Sequence, residues 1–196
     1  NFTDQVYAAY FTFTNQIKKF GYQAGLRAES SDYNGELTDV SRTFTHTYPV
    51  SLFPSAFLSY KVNEKNDVQL NYTKRINRPN FFQLLPYTDY SDSLNLSRGN
   101  PDLKPEFTNS FELSWQKTFS RKNTLIISTY LKNSYDLITK FQIQEFDTVL
   151  NRRVIVSTYE NANSSYAYGV ELTAQNTVTK WWDLSLNINA YNSSIN

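Results

Sequence analysis

Few side chains in this sequence could carry chemistry. His46 is the single histidine, and there is no cysteine. Disulfides, thiolate metal sites and cysteine nucleophiles are therefore excluded. A lone imidazole without a second His or Cys nearby makes no transition-metal ligand set. Serine-type hydrolysis would need the same His46 beside a hydroxyl and a carboxylate, and nothing around Thr45-His46-Thr47 suggests that arrangement. Asp89 and Asp92, in Asp89-Tyr90-Ser91-Asp92-Ser93, place two carboxylates at short spacing. Calcium accepts such oxygens, but the glycine and distal glutamate of a known calcium loop are missing, so a polar loop is expected. Matches to Asn-x-Ser/Thr follow from the abundance of those residues, and Asn71 falls inside a strand pattern.

What remains points to recognition rather than catalysis. Phe81, Phe82, Tyr87 and Tyr90 crowd one polar stretch, and Tyr135 and Tyr159 fall in another. Exposed aromatic rings stack on sugars or aromatic chelators at low entropic cost. Loops packed on one another would use the same residues. No enzymatic activity, cofactor or resident metal is expected. A net charge of +1 gives no electrostatic reason for nucleic acid as a partner.

The elements that position these residues alternate with period two, the mark of β-strands. Trp182, Leu184, Leu186, Ile188 and Ala190 oppose Asp183, Ser185, Asn187 and Asn189. Tyr166, Tyr168, Val170, Leu172 and Ala174 oppose Gly169, Glu171 and Thr173. The same pattern recurs around Tyr22, Val68 and Phe111, whereas Val6–Phe13 and Leu125–Leu131 are apolar on both faces and leave their facing open. Eight strands are predicted, at about 5–14, 21–30, 54–62, 67–76, 108–118, 124–133, 165–175 and 182–191. Each is close to the ~9–11 residues with which a tilted strand crosses a bilayer.

Connections alternate in length. Short polar turns are expected at 15–19, 63–66, 120–123 and 176–180, and long loops at about 31–53, 77–107 and 134–164. An up-and-down meander then carries all short turns at one end and all long loops at the other, as transmembrane barrels do. Phe20, Tyr22, Phe119, Trp181 and Trp182 cluster beside the short turns, at the level of an interfacial girdle. Mean hydropathy is −0.55 although aromatics make up 16% of the chain. No stretch approaches ~18 apolar residues, which excludes a transmembrane helix but not a barrel whose strands face a wet lumen on one side. Asn, Ser and Thr supply 60 of the 196 residues, enough to furnish lumen, turns and loops. Neither a signal peptide nor an initiator methionine is present, so a processed or internal segment is expected.

One element carries a more specific signal. The strand ending at Arg75-Ile76-Asn77-Arg78-Pro79 is followed by Gly99-Asn100-Pro101-Asp102-Leu103-Lys104-Pro105-Glu106 and then by the next strand. This arrangement strongly resembles the barrel of TonB-dependent outer-membrane receptors, and most of all their outer-membrane β-barrel subfamily. Tyr22–Glu29 and Leu52–Tyr60 extend the likeness over most of the chain. The residues themselves suggest a rigid loop-to-strand re-entry. Pro101 and Pro105 end any ladder, Gly99-Asn100 would start a turn where positive φ is cheap, and Lys104 would pair with Glu106 or a nearby carboxylate.

The resemblance implies an all-β, antiparallel up-and-down meander from a transmembrane barrel in a Gram-negative outer membrane, with its long loops extracellular. It implies uptake of a bulky nutrient (a metal chelate, glycan or peptide). The partners would be outer-membrane lipid, a plug domain contacting lumen charges such as Arg27, Glu29, Glu112 and Glu171, and the TonB system. Complete receptors have 22 strands around a plug. About eight strands with no plug-like segment, and no terminal aromatic residue, imply that 1–196 is an internal piece of a barrel domain. Two alternatives are a small eight-stranded structural or adhesive barrel and a soluble lipocalin-like barrel. In the latter Leu184, Leu186 and Ile188 would face an apolar interior.

Overall fold

The computed structural model describes residues 2–37, 42–92, 95–120 and 122–195. Ten strands form one sheet. The long ones are β1 (Phe2–Ile17), β2 (Phe20–Leu37), β3 (Arg42–Asn63), β4 (Asn66–Asn77), β7 (Glu106–Ser120), β8 (Asn123–Asp147), β9 (Arg152–Thr179) and β10 (Trp182–Ile195). They pair antiparallel in chain order, with β1 and β10 as the outer strands of an open sheet. All eight predicted strands are present, each longer than expected.

The extra length lies at the long-loop end. β2 and β3 pair as far as Leu37 and Arg42, and β8 and β9 as far as Asp147 and Arg152. The first and third long loops are therefore mostly strand hairpins. Tyr135 and Tyr159, expected on a loop, lie on β8 and β9. Mixed polar and apolar residues there hid the strands, because above the bilayer there is no lipid to impose alternation.

Among the described residues, only the segment between β4 and β7 is a true loop. It holds a short helix α1 (Phe81–Leu84) and two short strands, β5 (Thr88–Asp89) and β6 (Leu96–Arg98). β6 pairs parallel with β9 through Leu96–Val156 and Ser97–Ser157, occupying the edge of β9 that β10 does not reach. That covers backbone groups which would otherwise be an open sheet edge.

Register settles the two strands that were ambiguous by sequence. Directly opposed residues share a face. Ala9, Phe11 and Phe13 oppose Ala28, Leu26 and Ala24, while Tyr10 and Thr12 oppose Arg27 and Gly25. Leu125, Ile127 and Leu131 oppose Ala174, Leu172 and Tyr168, while Ser128 and Tyr130 oppose Glu171 and Gly169. One face of the sheet is thus continuously apolar and the other polar. The apolar face is half-buried to exposed: Val68, Trp115 and Leu172 are half-buried, and Leu184, Leu186 and Ile188 are open. β10 is an outer strand exposed on both faces, so this exposure follows from its place in the sheet.

Candidate functional site

The loop 78–105 is anchored to both flanking hairpins. Asn80 caps α1: its side chain accepts from the Gln83 backbone N–H at 3.1 Å, and Gln83 Oε1 accepts from the Asn80 N–H at 2.9 Å. Leu84 and Leu103 are fully buried with Tyr33 of β2 and Tyr48 of β3, and Ile138 and Tyr159 pack against them. Leu96 joins Val154 and Val156 in a second cluster with Tyr90, Ile143 and Leu150. Burying one such leucine stabilises by ~1.5–3 kcal/mol, so these few residues can hold an otherwise polar loop.

The Gly99–Glu106 motif is the backbone of that anchorage. The Tyr48 hydroxyl donates to the Leu103 carbonyl at 2.8 Å. Asn100 Nδ2 donates to the Tyr159 carbonyl at 2.9 Å. Asn161 on β9 clamps Lys104 from both sides, accepting from its N–H at 2.8 Å and donating to its carbonyl at 2.9 Å. Gly99 is required by close approach, not by positive φ, which no described glycine adopts. A Cβ there would lie 2.6 Å from backbone atoms of Leu85 and Phe82. Lys104 contributes its backbone; among the described residues its ammonium joins neither Glu106 nor another carboxylate. Pro79 and Pro105 are buried, Pro101 and Asp102 lie on the outside of the turn, and Glu106 accepts from Asn77 Nδ2 at 3.5 Å.

Arg78 reaches from the other half of the motif to β2. It donates to the Ser31 hydroxyl at 3.1 Å and to Glu29, whose second oxygen is held by Arg27 at 2.9 Å. Glu29 is 8% exposed, and Arg27 lies over the Phe53 ring. Of the residues expected to face a plug, Glu29 is thus engaged with the chain's own loop, and Arg27 with Glu29 and Phe53. Glu112 remains open on the polar face, in a groove with Arg75, Asn77 and Lys132. Glu171 accepts from Asn187 at 2.6 Å.

The loop aromatics divide. Phe82, Tyr87 and Tyr159 line a cavity of about 300 Å³ together with Leu85, Asp89 and Arg98. Phe82 is 75% exposed, with Phe81 edge-on beside it. Tyr90 turns inward, donating to Asp147 at 2.8 Å, and Tyr135 stacks on Phe107. Asp89 accepts from the Ser91 N–H, which holds its carboxyl below the usual range, and Asp92 accepts from Asn95. His46 sits opposite Tyr33 on β3; its side chain lies outside the described residues.

Sequence reasoning missed Arg98, Glu145 and Asn161. Arg98 and Glu145 form a bidentate pair at 3.0 and 2.9 Å across 47 residues of chain. No local pattern marks such partners.

A polar-faced, apolar-backed meander with short turns at one end and anchored loops at the other is an outer-membrane barrel architecture. The chain belongs to the outer membrane protein beta-barrel family, matching it over residues 1–196. It resides in the Gram-negative outer membrane, with its short turns periplasmic and its loops extracellular. Solved structures share the fold. The siderophore receptor PirA from Pseudomonas aeruginosa aligns with a TM-score of 0.70 at 13% identity, covering 99% of this chain and 44% of that one. The copper transporter OprC aligns at 0.70 and 15% identity, covering 98% and 29%. The ferric yersiniabactin uptake receptor FyuA from Yersinia pestis aligns at 0.61 and 17% identity, covering 100% and 28%. The chain therefore spans less than half the length of each. No curated protein matches it.

Proposed function

We propose that this chain is the barrel segment of a TonB-dependent receptor that imports a bulky nutrient, a metal chelate, glycan or peptide, across the outer membrane. The observation that carries this reading is the cavity of about 300 Å³ on the extracellular loop, walled by Phe82, Tyr87 and Tyr159. The backbone that carries its walls is tied to the motif, the Gly99 N–H donating to the Leu85 carbonyl at 2.9 Å and the Asn100 N–H to the Gln83 carbonyl at 2.7 Å, which lowers the entropic cost of capture. Open polar-face charges, Arg75 and Glu112 above all, suit contact with a plug domain, and energy would come through that plug from TonB. The polar face carries no catalytic constellation in this reading; the chain binds and passes cargo.

The test is growth of a strain lacking the full-length gene, with iron chelates, copper, oligosaccharides or peptides in turn as the limiting nutrient. A defect on one nutrient is expected, restored by the parent gene but not by the Phe82→Ala, Tyr87→Ala double variant, nor in a strain lacking TonB. Equal growth on every nutrient would overturn the reading. Glu112→Gln should reduce uptake while leaving the amount of inserted barrel unchanged.

A further inference from the structure

The short-turn end of the sheet carries more basic than acidic side chains. Every short turn carries lysine: Lys18 and Lys19 between β1 and β2, Lys65 between β3 and β4, Lys122 between β7 and β8, and Lys180 between β9 and β10. All five are exposed. The acids at this end are Glu64, Asp67 and Asp183. Among the described residues none of them forms an ion pair with these lysines. Asp67 sits opposite Lys61, and Asp183 accepts from Thr177 at 2.6 Å.

The turns also form one continuous rim. The Lys61 N–H donates to the Lys19 carbonyl at 2.9 Å, and the Thr118 N–H to the Lys65 carbonyl at 2.8 Å, tying neighbouring turns side by side. The aromatic belt adjoins this rim. Lys117 lies 5.0 Å over the Phe119 ring on the apolar face, and Trp181, 85% exposed, stacks on Trp182 beside Lys180. Trp and Phe at this depth sit among lipid headgroups. Lysines there place ammonium groups at the level of lipid phosphates, Lys19 with one donor on the Val62 carbonyl at 3.0 Å and the others without a carboxylate partner among the described residues.

We propose that the short-turn rim is a docking surface for anionic phospholipid headgroups of the periplasmic leaflet. The lysines supply the counter-charge, and the belt of Phe119, Trp181 and Trp182 fixes the depth at which the headgroup is met. Basic clusters against an anionic leaflet gain attraction with each added cation, and the gain fades with salt. The surface is local to these strands, so it does not depend on which cargo the barrel carries.

The test uses the full-length protein reconstituted in nanodiscs of mixed phosphatidylethanolamine and phosphatidylglycerol, with the lipid shell quantified by mass spectrometry. The parent should enrich phosphatidylglycerol at low salt and lose that enrichment as salt rises. Replacing Lys19, Lys65, Lys122 and Lys180 by Gln should lower the enrichment by about fivefold or more. Replacing the same four by Arg should keep it, and the loop-end variant Lys140→Gln, Arg152→Gln should leave it untouched. Equal enrichment in parent and Gln variant, no preference over phosphatidylethanolamine in the parent, or retention of peptidoglycan fragments in its place overturns the proposal. Should the Gln variant not fold, the salt titration of the parent decides alone: enrichment indifferent to salt overturns it.

Discussion

Arg78, just beyond the last residue of β4, donates to Glu29 in the middle of β2, two strands away. The carboxylate is shared with Arg27, so one nearly buried acid ties the start of the long loop to the wall of the sheet.

The three residues should respond unequally. Glu29→Ala removes both ion pairs at once and should cost more than either arginine change alone, short of the ~3–5 kcal/mol of a fully buried pair because Arg27 is 45% exposed and Arg78 keeps the Ser31 hydroxyl. Arg78→Ala leaves Glu29 with Arg27 and should cost about 1.5–3 kcal/mol, the worth of hydrogen bonds to a charged group. In both variants trypsin should cut after Arg98 faster than in the parent while the sheet stays intact; the Lys104–Pro105 bond resists trypsin in either case. Equal resistance of Glu29→Ala and parent would show that the loop is held without this pair.

Within the Gly99–Glu106 motif, the buried side chain should matter and the charged one should not. Leu103 is 1% exposed, and Leu103→Ala should destabilise by ~2–5 kcal/mol. Lys104→Ala keeps the backbone that Asn161 clamps and should change stability by less than about 0.5 kcal/mol. Denaturant unfolding of the two variants in detergent, followed by tryptophan fluorescence, separates them.

Glycines should divide by what faces them. Gly99→Ala pushes a methyl against backbone of Leu85 and Phe82, which cannot turn aside, so the loop must shift. Gly21→Ala meets only the Ser59 hydroxyl, which can rotate, and should be nearly neutral. Hydrogen exchange over 81–85 should rise in the first variant and stay at the parent level in the second.

The turn between β8 and β9 should loosen in acid. The Leu150 N–H first, then the Tyr90 hydroxyl, hold the Asp147 carboxyl below the ordinary aspartate range. A depressed carboxyl contributes stability above its ordinary value, about 4, that is lost as pH falls through the lowered one. Tyr90 is shifted the opposite way, chiefly by its bond to Asp147. Its contribution holds below its ordinary value, about 10, and is lost as pH rises through the raised one. The Tyr90–Asp147 latch should therefore be intact between about pH 4 and 10. Protection at Val149 and Leu150 should fall in the parent as pH drops below the ordinary aspartate value, about 4, and show no such acid step in Asp147→Asn, whose amide oxygen still accepts.

Strand order, facing and the position of the short turns were legible in sequence, because a bilayer on one side and water on the other force alternation residue by residue. Leu184, Leu186 and Ile188 announce their face locally, as do Gln69 and Asn71 opposite them in kind. The Gly-Asn-Pro motif was legible as a rigid re-entry, though Gly99 serves close approach rather than a positive φ. Beyond the bilayer that local rule lapses. The hairpin ends of β2–β3 and β8–β9 carry no alternation to mark them, the facing of β1 and β8 rests on register, and the partners Arg78–Glu29, Arg98–Glu145 and Asn161–Lys104 join residues tens of positions apart. Which of six aromatics would line a cavity and which would pack inward depended on the same distant contacts. Alternation is a property of single strands, so the sequence determined it alone. Long-range pairing is set by which surfaces the folded sheet brings together, so only the tertiary structure could decide it.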